Sequence, residues 1–161
     1  WRNNKFIPHD DDFDIGMLID SKEEIADIYH IINQLLPKKY HARVVNTYSD
    51  KIEIFQPSYG KYKLEGPKYK ENDYHYVTVD IQFYLKIKNS TQYQVLYHIT
   101  PNIKNISENM ILPTSHIMLE NKIFPCPNLT QEFLEHNYGS LDPLAKYCSL
   151  TGKYTLDPNI N

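Results

Sequence analysis

The run His9-Asp10-Asp11-Asp12-Phe13-Asp14 constrains this chain more than any other segment, because it passes without a break into Ile15-Gly16-Met17-Leu18-Ile19. Phe13, Ile15, Met17 and Ile19 fall on alternate positions, a period of two that predicts a strand with one apolar face. Asp12 and Asp14 then share the opposite face, roughly 7 Å apart along the backbone. Asp10 joins them if the strand starts early, while Asp11 points the other way as a cap or turn residue. Carboxylates crowded beside a hydrophobic strand repel one another and are costly to desolvate, so the pattern predicts a ligand or a cation. Mg²⁺ suits it, since that ion takes oxygen ligands from one or two carboxylates and substrate phosphates. A calcium loop fits poorly, for want of Gly at the sixth and Glu at the twelfth position. The plain alternative is an acidic surface turn. Gly16 continues the acids' side and is expected to leave room for the close approach of a ligand.

A helix is predicted next. Ser21 and Glu24 fit a capping box, Ile25, Ile28, Ile32 and Leu35 recur at helical spacing, and Pro37 stops it. Strands are predicted over 43–48 and 51–56, with Ser49-Asp50 as a tight turn. Residues 59–73, rich in Lys, Gly and Tyr, show no period and read as a loop. In 74–87, Val77, Val79, Ile81, Phe83 and Leu85 alternate with Thr78, Asp80, Gln82 and Tyr84, a second strong strand. Two short strands at 115–119 and 122–124 are joined by Glu120-Asn121 as a hairpin. A helix over 130–137 is capped by Thr130 and ended by Gly139 at positive φ. The tail after Tyr154 reads as frayed.

Asp80 is the natural third carboxylate, set between Val79 and Ile81. Alone it reads equally well as a solvent-facing position of a half-buried strand. Paired across a sheet with Asp12 and Asp14, it completes a trio suited to two-metal transfer of a phosphorus group to an alcohol. The third acid can then also take the proton of the attacking hydroxyl.

The 161 residues carry 17 basic and 20 acidic groups, a formal net charge of -3, which disfavours a nucleic-acid coat. With 41% hydrophobic and 13% aromatic residues the chain can build a core, so disorder throughout is excluded. No stretch approaches the roughly 18 apolar residues of a membrane span. Cys126 and Cys148 allow one bridge, not a disulfide scaffold, and neither belongs to a Cys-x-x-Cys zinc pattern. Arg occurs only at positions 2 and 43 among 14 tyrosines. That accent fits an AT-rich genome, so the scattered tyrosines are no evidence for base stacking. Lys61, Lys63, Lys68 and Lys70 make a basic stripe that suits phosphates or an acidic glycan, or is simply a solvated loop. Tyr74, His75 and Tyr76 suit stacking on a base or sugar, or plain packing. Sequons stand at Asn89, Asn105 and Asn128, consistent with a secretory-pathway enzyme. No signal-peptide pattern follows Trp1.

The segment from Lys5 to Met17 resembles the signature of the LicD/fukutin-type phosphotransferase family, an Ile-Pro-Trp/His-Asp-Asp-Asp-x-Asp-Ile motif. Val79-Asp80-Ile81-Gln82-Phe83 is similar to the family's second-acid strand, Ile-Asp-Ile-Phe. Ile111-Leu112-Pro113, Phe124-Pro125-Cys126-Pro127 and Phe133 to Gly139 resemble its C-terminal run. The resemblance extends from Lys5 to about Gly139. It implies a nucleotidyltransferase-like fold of the mixed α/β (α+β) class, a mixed sheet with flanking helices, in one domain spanning 1–161.

It further implies an enzyme that transfers a phospho-alcohol, of the phosphocholine or ribitol phosphate type, from a CDP-linked donor to a hydroxyl of a glycan. CMP is the leaving group. Carried over by position, Asp12 and Asp14 hold Mg²⁺ or Mn²⁺, Asp10 is an extra ligand, and Asp80 is the acid of the second strand. Arg2 matches the family arginine that contacts phosphate, and His9 stands next to the acids as a phosphate-contacting group. The family's Gly-x-Leu-Leu-Gly segment upstream of that arginine is not in this sequence, which begins at Trp1. The 59–73 segment lacks the cysteines of a zinc-stabilised loop found in some animal relatives, so no structural zinc is expected. The expected partners are a CDP-alcohol donor and a glycan or glycoconjugate acceptor, with no nucleic acid and no transmembrane segment. Location is open between the cytoplasm and the Golgi lumen. Two other readings also stay open: an interaction module that kept the fold without catalysis, and a polynucleotide-directed nucleotidyltransferase.

Overall fold

A computed structural model describes residues 12–45, 50–57, 62–63, 74–75, 77–96 and 105–157. In chain order it begins with β1 (Asp12–Ile19), α1 (Glu24–Leu35), β2 (His41–Val45) and β3 (Lys51–Phe55). Then come β4 (Tyr62–Lys63), β5 (Tyr74–His75), β6 (Thr78–Lys86) and β7 (Gln92–Val95). The chain goes on through β8 (Ile106–Ser107), α2 (Glu108–Ile111), β9 (Ser115–Leu119) and β10 (Lys122–Cys126). It closes with α3 (Thr130–Tyr138), β11 (Lys146–Cys148) and β12 (Lys153–Thr155). The class is therefore a mixed sheet with helices. The fold packs as two compact units, the first drawing its described residues from 12–90 and 94–96, the second from 91–93 and 105–157.

The first unit is built on β6, which is paired along both edges. Antiparallel β3 takes one edge, with Glu53 opposite Asp80. Parallel β1 takes the other, with Asp14 opposite Asp80 and Ile19 opposite Leu85. Antiparallel β2 extends the sheet beyond β3, with Arg43 opposite Glu53. Because side chains alternate across a sheet, these registers sort the strands into two faces. One face is apolar: Ile19, Ile52, Ile81 and Phe83 form its buried core with Ile25 of α1 and Leu96. Phe83 is 0% exposed.

Helix α1 covers that core with Ile25, Ile28, Tyr29 and Ile32. Leu35, expected on the same stripe, is 78% exposed, because the helix has reached its last turn beyond the sheet-covering stripe and Tyr29 does the packing instead. Only the returning half of the capping box is seen. Glu24 Oε1 accepts from the Ser21 N–H at 2.8 Å and the Asp20 N–H at 2.9 Å, while the helix starts without a side-chain cap. Leu36, held before Pro37, is extended at φ -65°, ψ 133°, which stops the helix.

Several predicted boundaries moved. The strand expected over 43–48 begins earlier, at His41, and the structure describes it only to Val45. The strand expected over 74–87 is two elements: Tyr74–His75 pairs with Tyr62–Lys63, and the long strand starts at Thr78. The segment read as a loop thus contributes a short strand at Tyr62–Lys63. The Lys61, Lys68 and Lys70 positions of the basic stripe, Ser49, Tyr76 and the side chains of Lys63, Tyr74 and His75 lie outside the described residues.

In the second unit, Glu120 at φ 47° and Asn121 at φ 63° make the tight turn between β9 and β10, as their sequence suggested. Thr130 does not cap α3; its hydroxyl donates to the Pro127 carbonyl at 2.7 Å. Gly139 does end that helix, at φ 82°. Hairpin β11–β12, which the sequence reading did not foresee, orders the chain to Thr155. Cys126 and Cys148 are both free thiols.

Candidate metal centre

The second face of the first unit's sheet carries the polar side chains, and the registers align them in rows. Arg43, Glu53, Asp80 and Asp14 lie opposite one another across β2, β3, β6 and β1. The next row is Val45, Lys51, Gln82 and Gly16. The row before is His41, Phe55, Thr78 and Asp12. The two-residue spacing of Asp12 and Asp14 therefore brings both beside Asp80. One carboxylate oxygen from each of the three lies within 4.8 Å of the other two.

Asp12 and Asp14 are exposed, whereas Asp80 is buried at 2% exposure. The solvent-facing reading of Asp80 is thus corrected: β6 is flanked on both edges, and its polar face is covered by its neighbours' side chains. Gln82 Nε2 donates to Asp14 Oδ1 at 2.7 Å. Lys51 Nζ donates to Asp80 Oδ2. The other oxygen, Asp80 Oδ1, is buried with no hydrogen-bond partner among the described residues. A buried carboxylate oxygen left in that condition is costly, and calls for a ligand.

A row of countercharges backs this group. Lys51 Nζ bonds Glu53 Oε1 at 2.8 Å, and Arg43 reaches Glu53 Oε2 through Nε and Nη2, both at 2.6 Å. Burial opposes the charge on Lys51, yet its bonds to Asp80 and Glu53 outweigh that and hold the ammonium above its ordinary value. Burial likewise opposes the charge on Glu53, and Lys51 and Arg43 overcome it, holding the carboxyl below its ordinary value.

The donors fit a hard divalent cation. They are all carboxylate oxygens, close enough to share one ion, with one oxygen buried and unpartnered.

Gly16 stays exposed, and its missing Cβ makes way for a tyrosine ring: a Cβ there would sit 3.0 Å from Tyr84 Cε2. Lys51, Glu53, Arg43 and Gln82 were not singled out from the sequence. Their signal was present, since Lys51 and Glu53 stand two apart on a strand, as Asp12 and Asp14 do. Arg2, His9 and Asp10 lie outside the described residues.

Three carboxylates from two parallel strands, one of them buried and backed by countercharge, make a group that could hold a divalent cation on the polar face of a mixed sheet. The chain belongs to the LicD/FKTN/FKRP nucleotidyltransferase domain family, whose model matches residues 1–129. No curated protein matches the chain closely enough to count as a relative. Family membership suggests a transferase of the phosphotransferase type acting on glycans, and the family is generally dependent on a divalent metal. No helix among the described residues is long and apolar enough to cross a membrane.

Proposed function

We propose that this chain is a metal-dependent phosphotransferase with a nucleotidyltransferase-like fold, its 161 residues acting as one catalytic domain. It moves a phospho-alcohol, of the phosphocholine or ribitol phosphate type, from a CDP-linked donor to a hydroxyl of a glycan. The observation that carries the reading is the convergence of Asp12, Asp14 and Asp80 within 4.8 Å, with one oxygen of the buried Asp80 unpartnered.

In this reading Asp12, Asp14 and Asp80 hold Mg²⁺ or Mn²⁺, and Asp10 adds a ligand from the preceding residues. A cation bound there supplies charge neutralisation for the donor diphosphate and for the departing CMP oxygen. The acceptor oxygen forms the new bond to phosphorus, the bond from phosphorus to the CMP oxygen breaks, and the acceptor proton is lost to a base. Asp80 is the natural third acid for this chemistry, but its burial and its bond to Lys51 favour holding the cation over meeting a bulky acceptor. Asp12 and Asp14, both exposed, are better placed to orient the hydroxyl. Arg2 and His9 would meet the donor phosphates.

The test is ³¹P-detected release of CMP from CDP-choline and CDP-ribitol, with Mg²⁺ or Mn²⁺ and a glycan acceptor. Metal-dependent CMP formation is expected. No turnover across a panel of CDP-alcohols, alongside metal-dependent binding of nucleoside triphosphates, would replace this reading with the polynucleotide-directed one. Normal folding with no affinity for any nucleotide would leave an interaction module.

A further inference from the structure

Asp80 has two oxygens with different surroundings. Oδ2 accepts from Lys51 Nζ, and Oδ1 is buried without a partner among the described residues. A carboxylate with one oxygen tethered cannot rotate to satisfy the other, so the tether decides which oxygen is left to meet a cation. Lys51 is itself held. Its ammonium also bonds Glu53 Oε1 at 2.8 Å, and Glu53 is clamped through Oε2 by the Arg43 guanidinium. Lys51, Glu53 and Asp80 have side chains only 12%, 9% and 3% exposed, so this chain of contacts is screened little by water. Buried ion pairs rarely add net stability over apolar residues of the same volume. Stability is therefore a weak reason for this row to exist. Its orientation, aimed along the sheet from Arg43 to Asp80, gives a better one.

We propose that Lys51 is a positioning residue for the cation site: it holds Asp80 by Oδ2 so that Oδ1 is presented to the ion shared with Asp12 and Asp14, and Glu53, gripped by Arg43, holds Lys51. This rests on the reading of the three aspartates as a cation site. The proposal runs against the simple electrostatic expectation. A lysine beside a cation repels it, so removing the positive charge should tighten cation binding if Lys51 is merely a neighbour. Removing a group that orients a ligand should weaken it.

The experiment is isothermal titration of the full chain with Mn²⁺, comparing wild type, Lys51→Met, Lys51→Arg and the double change Lys51→Met with Glu53→Gln. The double change removes Lys51 and the charge of Glu53 together, so net charge is unaltered and no Glu53 oxygen is left charged without its lysine, which keeps the test decisive if Lys51→Met does not fold. Circular dichroism checks each fold. Both Lys51→Met and the double change should weaken Mn²⁺ binding by about tenfold or more, the usual effect of losing a group that orients a metal ligand. Lys51→Arg, which keeps a donor and the charge, should recover part of that loss. Equal or tighter Mn²⁺ affinity in a folded Lys51→Met or double variant would overturn the positioning role while leaving the cation site intact. Absence of Mn²⁺ binding by the wild type would instead overturn the site itself, and the positioning role with it.

Discussion

Asp14 stands exposed on the sheet face, and Gln82 donates to one of its oxygens. Changing it to Asn keeps the shape and removes the charge. Asp12→Asn and Asp14→Asn should each lower metal-dependent CMP release by about a hundredfold, because a bound metal supplies several kcal/mol and each 1.4 kcal/mol or so is tenfold in rate. Both variants should fold, and Mn²⁺ titration should show weaker binding; unchanged affinity in both would mark the cluster as surface decoration. Gly16 tests a different point. It was expected to make room for a ligand, and what its missing Cβ visibly accommodates is the Tyr84 ring. Tyr84 is buried, so its ring has little space to retreat. Gly16→Val should therefore destabilise the fold by about 1–3 kcal/mol, the usual cost of overpacking, read as a lower urea midpoint. A variant as stable as wild type would show that the ring moves freely.

Among elements, the alternation of β1 and of β6 was legible because each is half buried, and burial of one face writes a period of two into a strand. The partner of each strand was not legible. β1 and β6 pair in parallel across some 60 residues of intervening chain, and no local signal makes the two strands neighbours. That pairing separates a three-carboxylate cluster from acids scattered over two strands. The same lack of local signal hid the row from Arg43 to Asp80, whose members lie on β2, β3 and β6. Gly139 shows the limit from the other side. Its positive φ was readable as a helix stop, but not the docking that accompanies it. The Ser140 N–H donates to the Tyr154 carbonyl at 2.9 Å, and a Cβ on Gly139 would lie 2.4 Å from that same oxygen. Gly139→Ala should cost about 3 kcal/mol, since backbone strain at such φ and a clash with main chain act together. Chemical denaturation followed by circular dichroism would measure it, and a loss below 1 kcal/mol or so would mean the hairpin β11–β12 yields.

At the scale of the molecule, a family motif singled out the acids, while the countercharges that let a carboxylate be buried were visible only once the strands were assembled. Those countercharges also set a pH dependence. Glu53 titrates below its ordinary 4.5 in the fold, so its share of stability is complete above about pH 4.5 and drains away as pH falls through the depressed value. Lys51 titrates above its ordinary 10.5, so its share is complete below about pH 10.5 and is lost as pH rises through the raised value. Between those limits the row contributes a constant amount. The urea midpoint of the metal-free protein should therefore lose this contribution on the acid side below pH 4.5, and on the alkaline side only above pH 10.5. Glu53→Gln isolates the acid limb, because it removes the group that must be protonated. The fall in midpoint between pH 5 and pH 3 should be smaller in Glu53→Gln than in wild type, even though the variant starts from lower stability at pH 7. An equally steep acid limb in both proteins would show that Glu53 gains nothing from Lys51 and Arg43, and that other carboxylates govern acid unfolding.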